Sequence, residues 1–145
     1  MPILNYTTTV AVDRTVLKIQ KKLAGFGASQ ISIDYDDVGA VALAFRLSIV
    51  LQDGTAQLVD FRLPADFEGV AAAIKKAKVE RRYQTPEHVR KVAWRIVEDW
   101  LSAQLAILEA RIARPEQLLL AFAVAADGRT VYEHFADSPQ YLLAQ

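Results

Sequence analysis

Apolar and polar positions change period twice along the chain. Val16, Leu17, Gln20, Leu23 and Ala24 recur at helical spacing. Asp13 precedes them as an N-cap, and Lys18, Lys21 and Lys22 fall on the outer side. Gly25 and Gly27 then offer a stop, because glycine tolerates the left-handed backbone that ends helices. The pattern predicts a first helix over 14–24.

From residue 31 the period becomes two. Ile31, Ile33 and Tyr35 alternate with Ser32, Asp34 and Asp36. After the turn "DDVG", Val41, Leu43, Phe45, Leu47, Ile49 and Leu51 alternate with smaller or polar residues. After "QDG", a third run extends from about Thr55 to Leu63. Short turns between alternating runs predict an antiparallel meander with one buried face. If Gln52-Asp53-Gly54 is a three-residue loop with Gly54 left-handed, Leu51 faces Thr55. Phe45 then lies opposite Phe61 and Leu47 opposite Val59 on one face, with Arg46 opposite Asp60 on the other. A two-residue turn would set Leu47 against Asp60, so the longer loop is expected.

Helical spacing returns after Pro64. Asp66 is expected to cap a second helix over 67–79, with Val70, Ala73, Ile74 and Ala77 inward and Lys75, Lys76 and Lys78 in the last turns. Thr85-Pro86-Glu87 is a strong start signal: a cap, proline at the first helical position, then an acid. It opens a third helix expected over 86–113, with an apolar face of Val89, Val92, Ala93, Ile96, Val97, Trp100, Leu101, Ile107, Leu108 and Ile112. Pro115 forces a break. "PEQLLLAFAVA" reads as a short buried fourth helix, and "RTVYEHF" as a short strand or a helical turn. No element is assigned to the closing "ADSPQYLLAQ".

The expected fold class is α+β: a three-stranded antiparallel meander covered by helices, with a long C-terminal helix, in the order α-β-β-β-α-α-α. A chain of 145 residues suits a single domain over 1–145, made of an α-β-β-β-α unit at 13–79 and a helical part at 86–145. The long apolar face exceeds what one small sheet can cover. Helix 3 is therefore expected to pack on the fourth helix, on a second subunit, or on both. A homo-oligomer is the expectation, with Trp94, Leu101, Leu105 and Ile112 as its interface.

Composition narrows the classes. The hydrophobic fraction of 52% and charged fraction of 23% argue against disorder. With no cysteine there is no disulfide, thiolate metal site or cysteine nucleophile, and a reducing, cytoplasmic setting is expected. No run reaches the roughly 18 apolar residues of a membrane span, so no membrane partner is expected. "MPILNYTTTV" lacks the basic start and apolar core of a signal peptide.

Candidate chemistry is sparse. Asp34, Asp36 and Asp37 resemble the start of a calcium loop, but Val38 and Phe45 occupy positions where such a loop needs acids. His88 and His134 stand far apart and carry no zinc-ligand spacing. Glu98 and Asp99 are adjacent on one helix, diverge by about 100°, and are expected to solvate its outer face. There is no phosphate loop, nucleophile elbow or metalloprotease motif. No cofactor, metal or catalytic residue is expected, and an enzyme ranks last.

Charge is the feature that stands out. The chain is neutral in total, but residues 75–95 hold eight cations and two acids, a net of +6. Lys75, Lys76, Lys78, Arg81, Arg82, Arg90, Lys91 and Arg95 span the end of one helix, a linker and the start of the next. Tyr83 lies among them and could stack on a base. The expected function is a small nucleic-acid-binding protein that neutralises phosphates with little sequence specificity. The alternative is a protein-interaction module, a host-factor inhibitor or assembly subunit, working through the apolar face of helix 3. A solvated or subunit-pairing surface explains the same cations without any ligand.

Two resemblances bear on this. The element order over 13–79 is similar to that of the double-stranded RNA-binding domain. That family has lysines at the start of its second helix, followed by alanines. "AAAIKKAK" reverses that order, so the shared topology carries no function here. "VAWRIVEDWLSAQLAILEA" at 92–110, "GRTVYEHF" at 128–135 and "IDYDD" at 33–37 resemble small uncharacterised proteins of bacteriophages and prophage islands. No established activity travels with this resemblance. It implies a role in phage DNA metabolism or in interference with a host protein, and makes DNA the expected nucleic acid rather than RNA.

Overall fold

A computed structural model of the chain describes residues 1–64 and 67–139. Helix α1 (Val12–Phe26) leads into strands β1 (Gln30–Tyr35), β2 (Ala40–Val50) and β3 (Ala56–Pro64). Helices α2 (Phe67–Lys76), α3 (Pro86–Glu109), α4 (Pro115–Leu119) and α5 (Val131–Asp137) follow, with 3-10 turns at Arg81–Tyr83 and Leu120–Phe122. The class is α+β and the strands form one antiparallel sheet in the order β1-β2-β3.

The sheet has the register that the pattern of positions demands. Phe45 pairs with Phe61, Leu47 with Val59 and Arg46 with Asp60. The two phenyl rings stack at 5.5 Å on the inner face, and Arg46 grips Asp60 through two bonds of 2.6 and 3.1 Å on the other. Gly54 takes φ +86° and Leu51 N–H donates to Thr55 O at 2.8 Å, which closes the three-residue loop. On the other side Ile31 faces Phe45 and Ile33 faces Leu43.

Helix boundaries depart from expectation at both ends of α1, at the ends of α2 and α3 and after Pro115; Gly25 lies inside α1, which runs to Phe26 and is stopped by Gly27 alone. Helix α1 starts at Val12, with Ala11 at the cap position and no side-chain cap; Asp13 sits in the first turn instead, favourable to the helix dipole. Its buried stripe is Thr15, Val16, Ile19 and Leu23, whereas Leu17 and Ala24 are exposed. The stripe is set by contact with α3, which rotates it about a quarter of a turn from the expected Val16, Leu17, Gln20, Leu23 and Ala24. Helix α2 stops at Lys76, because Lys78 turns left-handed at φ +55°. The expected cap Asp66 lies outside the described residues, as does 140–145 of the closing segment.

Helix α3 stops at Glu109, before the proline break, because Arg111 adopts φ +58°. Arg111 N–H reaches Leu108 O and Ile112 N–H reaches Ile107 O, both at 3.1 Å, which closes a Schellman-type end. The run after Pro115 is not one helix. It is the five-residue α4, a 3-10 turn, and then extended backbone in which Ala123 bridges Phe61 and Val124 bridges Thr130. "RTVYEHF" resolves as helical: Thr130 and Glu133 form a reciprocal capping box that starts α5.

The inner face of the sheet, α1 and the middle of α3 share one core. Trp94 lies at its centre, with Nε1 donating to Ala40 O at 2.9 Å. A smaller cluster of Ile74, Val89 and Val92 joins α2 to the start of α3, with Ile3 and Val79 packed against it.

Candidate nucleic-acid interface

The basic corner is built outward from Ile74. That side chain is buried against Val89 and Val92, so its neighbours Lys75 and Lys76 are directed away from α3 and are exposed. Lys78, in its left-handed conformation, turns the chain, and Val79 returns to the small cluster. Arg81 and Arg82 are exposed on the following 3-10 turn. Gln84 Nε2 donates back to Val79 O at 2.8 Å, and the Thr85 hydroxyl accepts from His88 N–H at 3.2 Å to cap α3.

Among the described residues, Lys75, Lys76, Lys78, Arg81 and Lys91 have no ion-pair partner. Arg82 contacts Glu80 at 2.9 Å, but both side chains are mostly in solvent, where such a pair is weak. The other two cations of the expected set are withdrawn. Arg90 is only 14% exposed, bonds both oxygens of Asp36 at 2.5 and 2.6 Å, and lies over the Phe67 ring at 4.9 Å. The hydrogen-bonded Arg90 guanidinium holds the Asp36 carboxyl well below its ordinary range, aided by Val38 N–H. Arg95 faces Glu98 at 3.6 Å and Asp99 at 3.9 Å. Both arginines carry structural ion pairs and leave the candidate interface, for a reason that charge counting does not see: their acidic partners come from elsewhere in the fold or from the next turn.

Tyr83 is also not a free stacking platform. Arg82 lies 4.7 Å above its ring, the Tyr6 ring meets it edge-on at 5.5 Å, and His88 packs at 5.1 Å. The sequence reading missed this N-terminal contribution, because "ILNYTTTV" has no periodic signal. Glu98 was misplaced too. It is buried rather than solvating an outer face, and accepts from Lys22 at 3.1 Å, while Lys22 also reaches Ser102 Oγ at 2.7 Å. The ion pair stitches α1 to α3.

The expected oligomer stripe is mostly inside the protein. Trp94, Leu101 and Leu105 are 1%, 0% and 7% exposed. They belong to the core because α1 lies against α3 and covers them. Ile112, beyond the end of α3, is 76% exposed. The apolar surface that stays open on α3 lies elsewhere, in a groove of about 240 Å³ lined by Leu63, Ile96, Val97, Trp100 and Phe122.

No family model, curated protein or solved structure matches the chain.

The site therefore rests on its own chemistry. Among the described residues, no three histidine, aspartate or glutamate side chains converge as a metal site would need. Asp36, from the acidic turn, is committed to Arg90 and to the amides of Val38 and Gly39. His134 contacts Asp127 at 2.9 Å and His88 contacts the Tyr6 carbonyl. Among the described residues, no helix is long and apolar enough to cross a membrane. What the corner between α2 and α3 can do is present several unneutralised cations within one short, ordered stretch.

Proposed function

We propose that the protein binds nucleic acid through Lys75, Lys76, Lys78, Arg81 and Arg82, by phosphate neutralisation with little or no base reading. The observation that carries this is the concentration of exposed cations in eight residues, only one of them next to an acid. A polyanion is attracted to such a patch even when the whole chain is neutral. Lys91, half-exposed and without an ion-pair partner among the described residues, extends it. In this reading the nucleic acid is DNA, met in the cytoplasm, and the chain is of phage or prophage type.

The test is fluorescence anisotropy with single- and double-stranded DNA and with RNA. Binding should be present at about 20 mM salt and weaken steeply, with a log–log slope near about −4.5 on duplex DNA if all five cations face phosphates. Reversing Lys75, Lys76 and Arg81 to glutamate should abolish binding. Arg95→Ala should leave the slope unchanged. Absence of binding by the unaltered protein at about 20 mM salt sinks the reading.

The open groove of Leu63, Ile96, Val97, Trp100 and Phe122 supports a second reading. In it the protein is an interaction module, an inhibitor of a host factor or an assembly subunit, and the groove receives an apolar side chain of the partner. Self-association belongs to this reading as well, since the groove is open apolar surface on α3.

A further inference from the structure

The basic corner is short and mostly exposed, yet it is ordered from outside its own sequence. Residues 3–8 fold as a compact strap, with Tyr6 N–H donating to Ile3 O and Thr8 N–H to Asn5 O. Three residues fasten it. Ile3 packs on the Ile74, Val89 and Val92 cluster. Asn5, left-handed at φ +65°, donates from Nδ2 to Asp99 at 2.8 Å. Tyr6 sets its ring edge-on to Tyr83 while its carbonyl meets His88 Nε2 at 2.5 Å. Tyr83 is the last residue of the 3-10 turn that carries Arg81 and Arg82. That turn is held within itself by two backbone bonds, Tyr83 N–H to Glu80 O and Gln84 N–H to Arg81 O. A turn with so few internal bonds opens easily unless its side chains are packed.

We propose that the N-terminal strap is a positioning element for the basic corner, with Tyr6 the positioning residue that holds Tyr83 and through it Arg81 and Arg82. Tyr6 itself contacts no phosphate in this scheme. It reduces the conformational freedom that the cations would otherwise lose on binding, which is how preorganisation raises affinity. The consequence for affinity rests on the nucleic-acid reading above; the consequence for the turn does not.

The experiment compares the unaltered protein with Tyr6→Ala and Tyr6→Phe, by amide hydrogen exchange and by DNA anisotropy. In Tyr6→Ala the Tyr83 and Gln84 amides should exchange roughly 3- to 10-fold faster, the range that loss of one aromatic pair allows. DNA affinity should fall several-fold with an unchanged salt slope, because no cation is removed. Tyr6→Phe, which keeps the ring and the carbonyl, should restore both readouts. Unchanged exchange at Tyr83 and Gln84 in Tyr6→Ala overturns the proposal. Faster exchange in a protein whose unaltered form fails to bind DNA supports the strap and overturns the interface alone. If Tyr6→Ala does not fold, Asn5→Ala, which removes the strap's bond to Asp99 without touching Tyr83, must show the same two amides released.

Discussion

Arg90 and Lys91 are neighbours in the chain and belong to different chemistry. Lys91 has no acid beside it, whereas Arg90 is locked to Asp36 in the turn between β1 and β2. The pair has a pH signature whose sign is fixed by direction. The Asp36 carboxyl is lowered in the folded protein, so its stabilisation is fully present above the ordinary carboxylate range and is lost as pH falls through and below it. Arg90→Gln should therefore lower the melting temperature most at neutral pH, with the gap to the unaltered protein closing as acid is added. Thermal unfolding by circular dichroism from pH 7 to about pH 2 measures this. A gap that persists undiminished at the acid end would mean that Arg90 acts through its packing on Phe67 instead. The same lowering, for the same hydrogen-bonding reason, applies to Asp60 beside Arg46 and to Asp53 beside Thr55.

At the scale of elements, most types were legible in the pattern of positions, and most ends were not. Alternation placed all three strands, and the cross-strand pairing followed from one loop length. Thr85-Pro86 marked the start of α3 because its signal is local: a hydroxyl, a fixed φ and an acid within three residues. The C-terminal end of α3 had no such signal. It is made by Arg111 in a left-handed conformation that glycine adopts without strain and an arginine does not. Arg111→Gly should accordingly stabilise the protein, by about 1 kcal/mol, measured as a raised urea midpoint at constant slope. An unchanged or lowered midpoint would show that the Arg111 side chain contributes enough at its surface to offset the backbone strain. Helix α1 illustrates the opposite limit. Its helical character was plain, but which of Leu17 or Ile19 faces inward depends on where α3 lies, and no spacing within α1 contains that.

For the whole molecule, the decisive event is the contact of α1 with α3. It buries Leu101 and Leu105, turns Glu98 into a buried partner for Lys22, and leaves Trp100 on the open side. Leu101→Ala should cost about 2–5 kcal/mol, the range for a fully buried leucine, without altering the sedimentation behaviour of whatever fraction stays folded. A change in oligomeric state with little loss of stability would restore the interface role first expected of that residue. What the sequence alone determined is what local physics enforces: the α+β class, the strand register, the start of α3 and the presence of a cationic stretch. Only the tertiary structure decided which cations are neutralised, which apolar residues are covered, and that Tyr6 supports Tyr83. Those outcomes depend on groups distant in the chain, such as Asp36 and Arg90 or Asn5 and Asp99. Their meeting is set by how helices pack on one face of the sheet, and nothing in either residue's own neighbourhood encodes it.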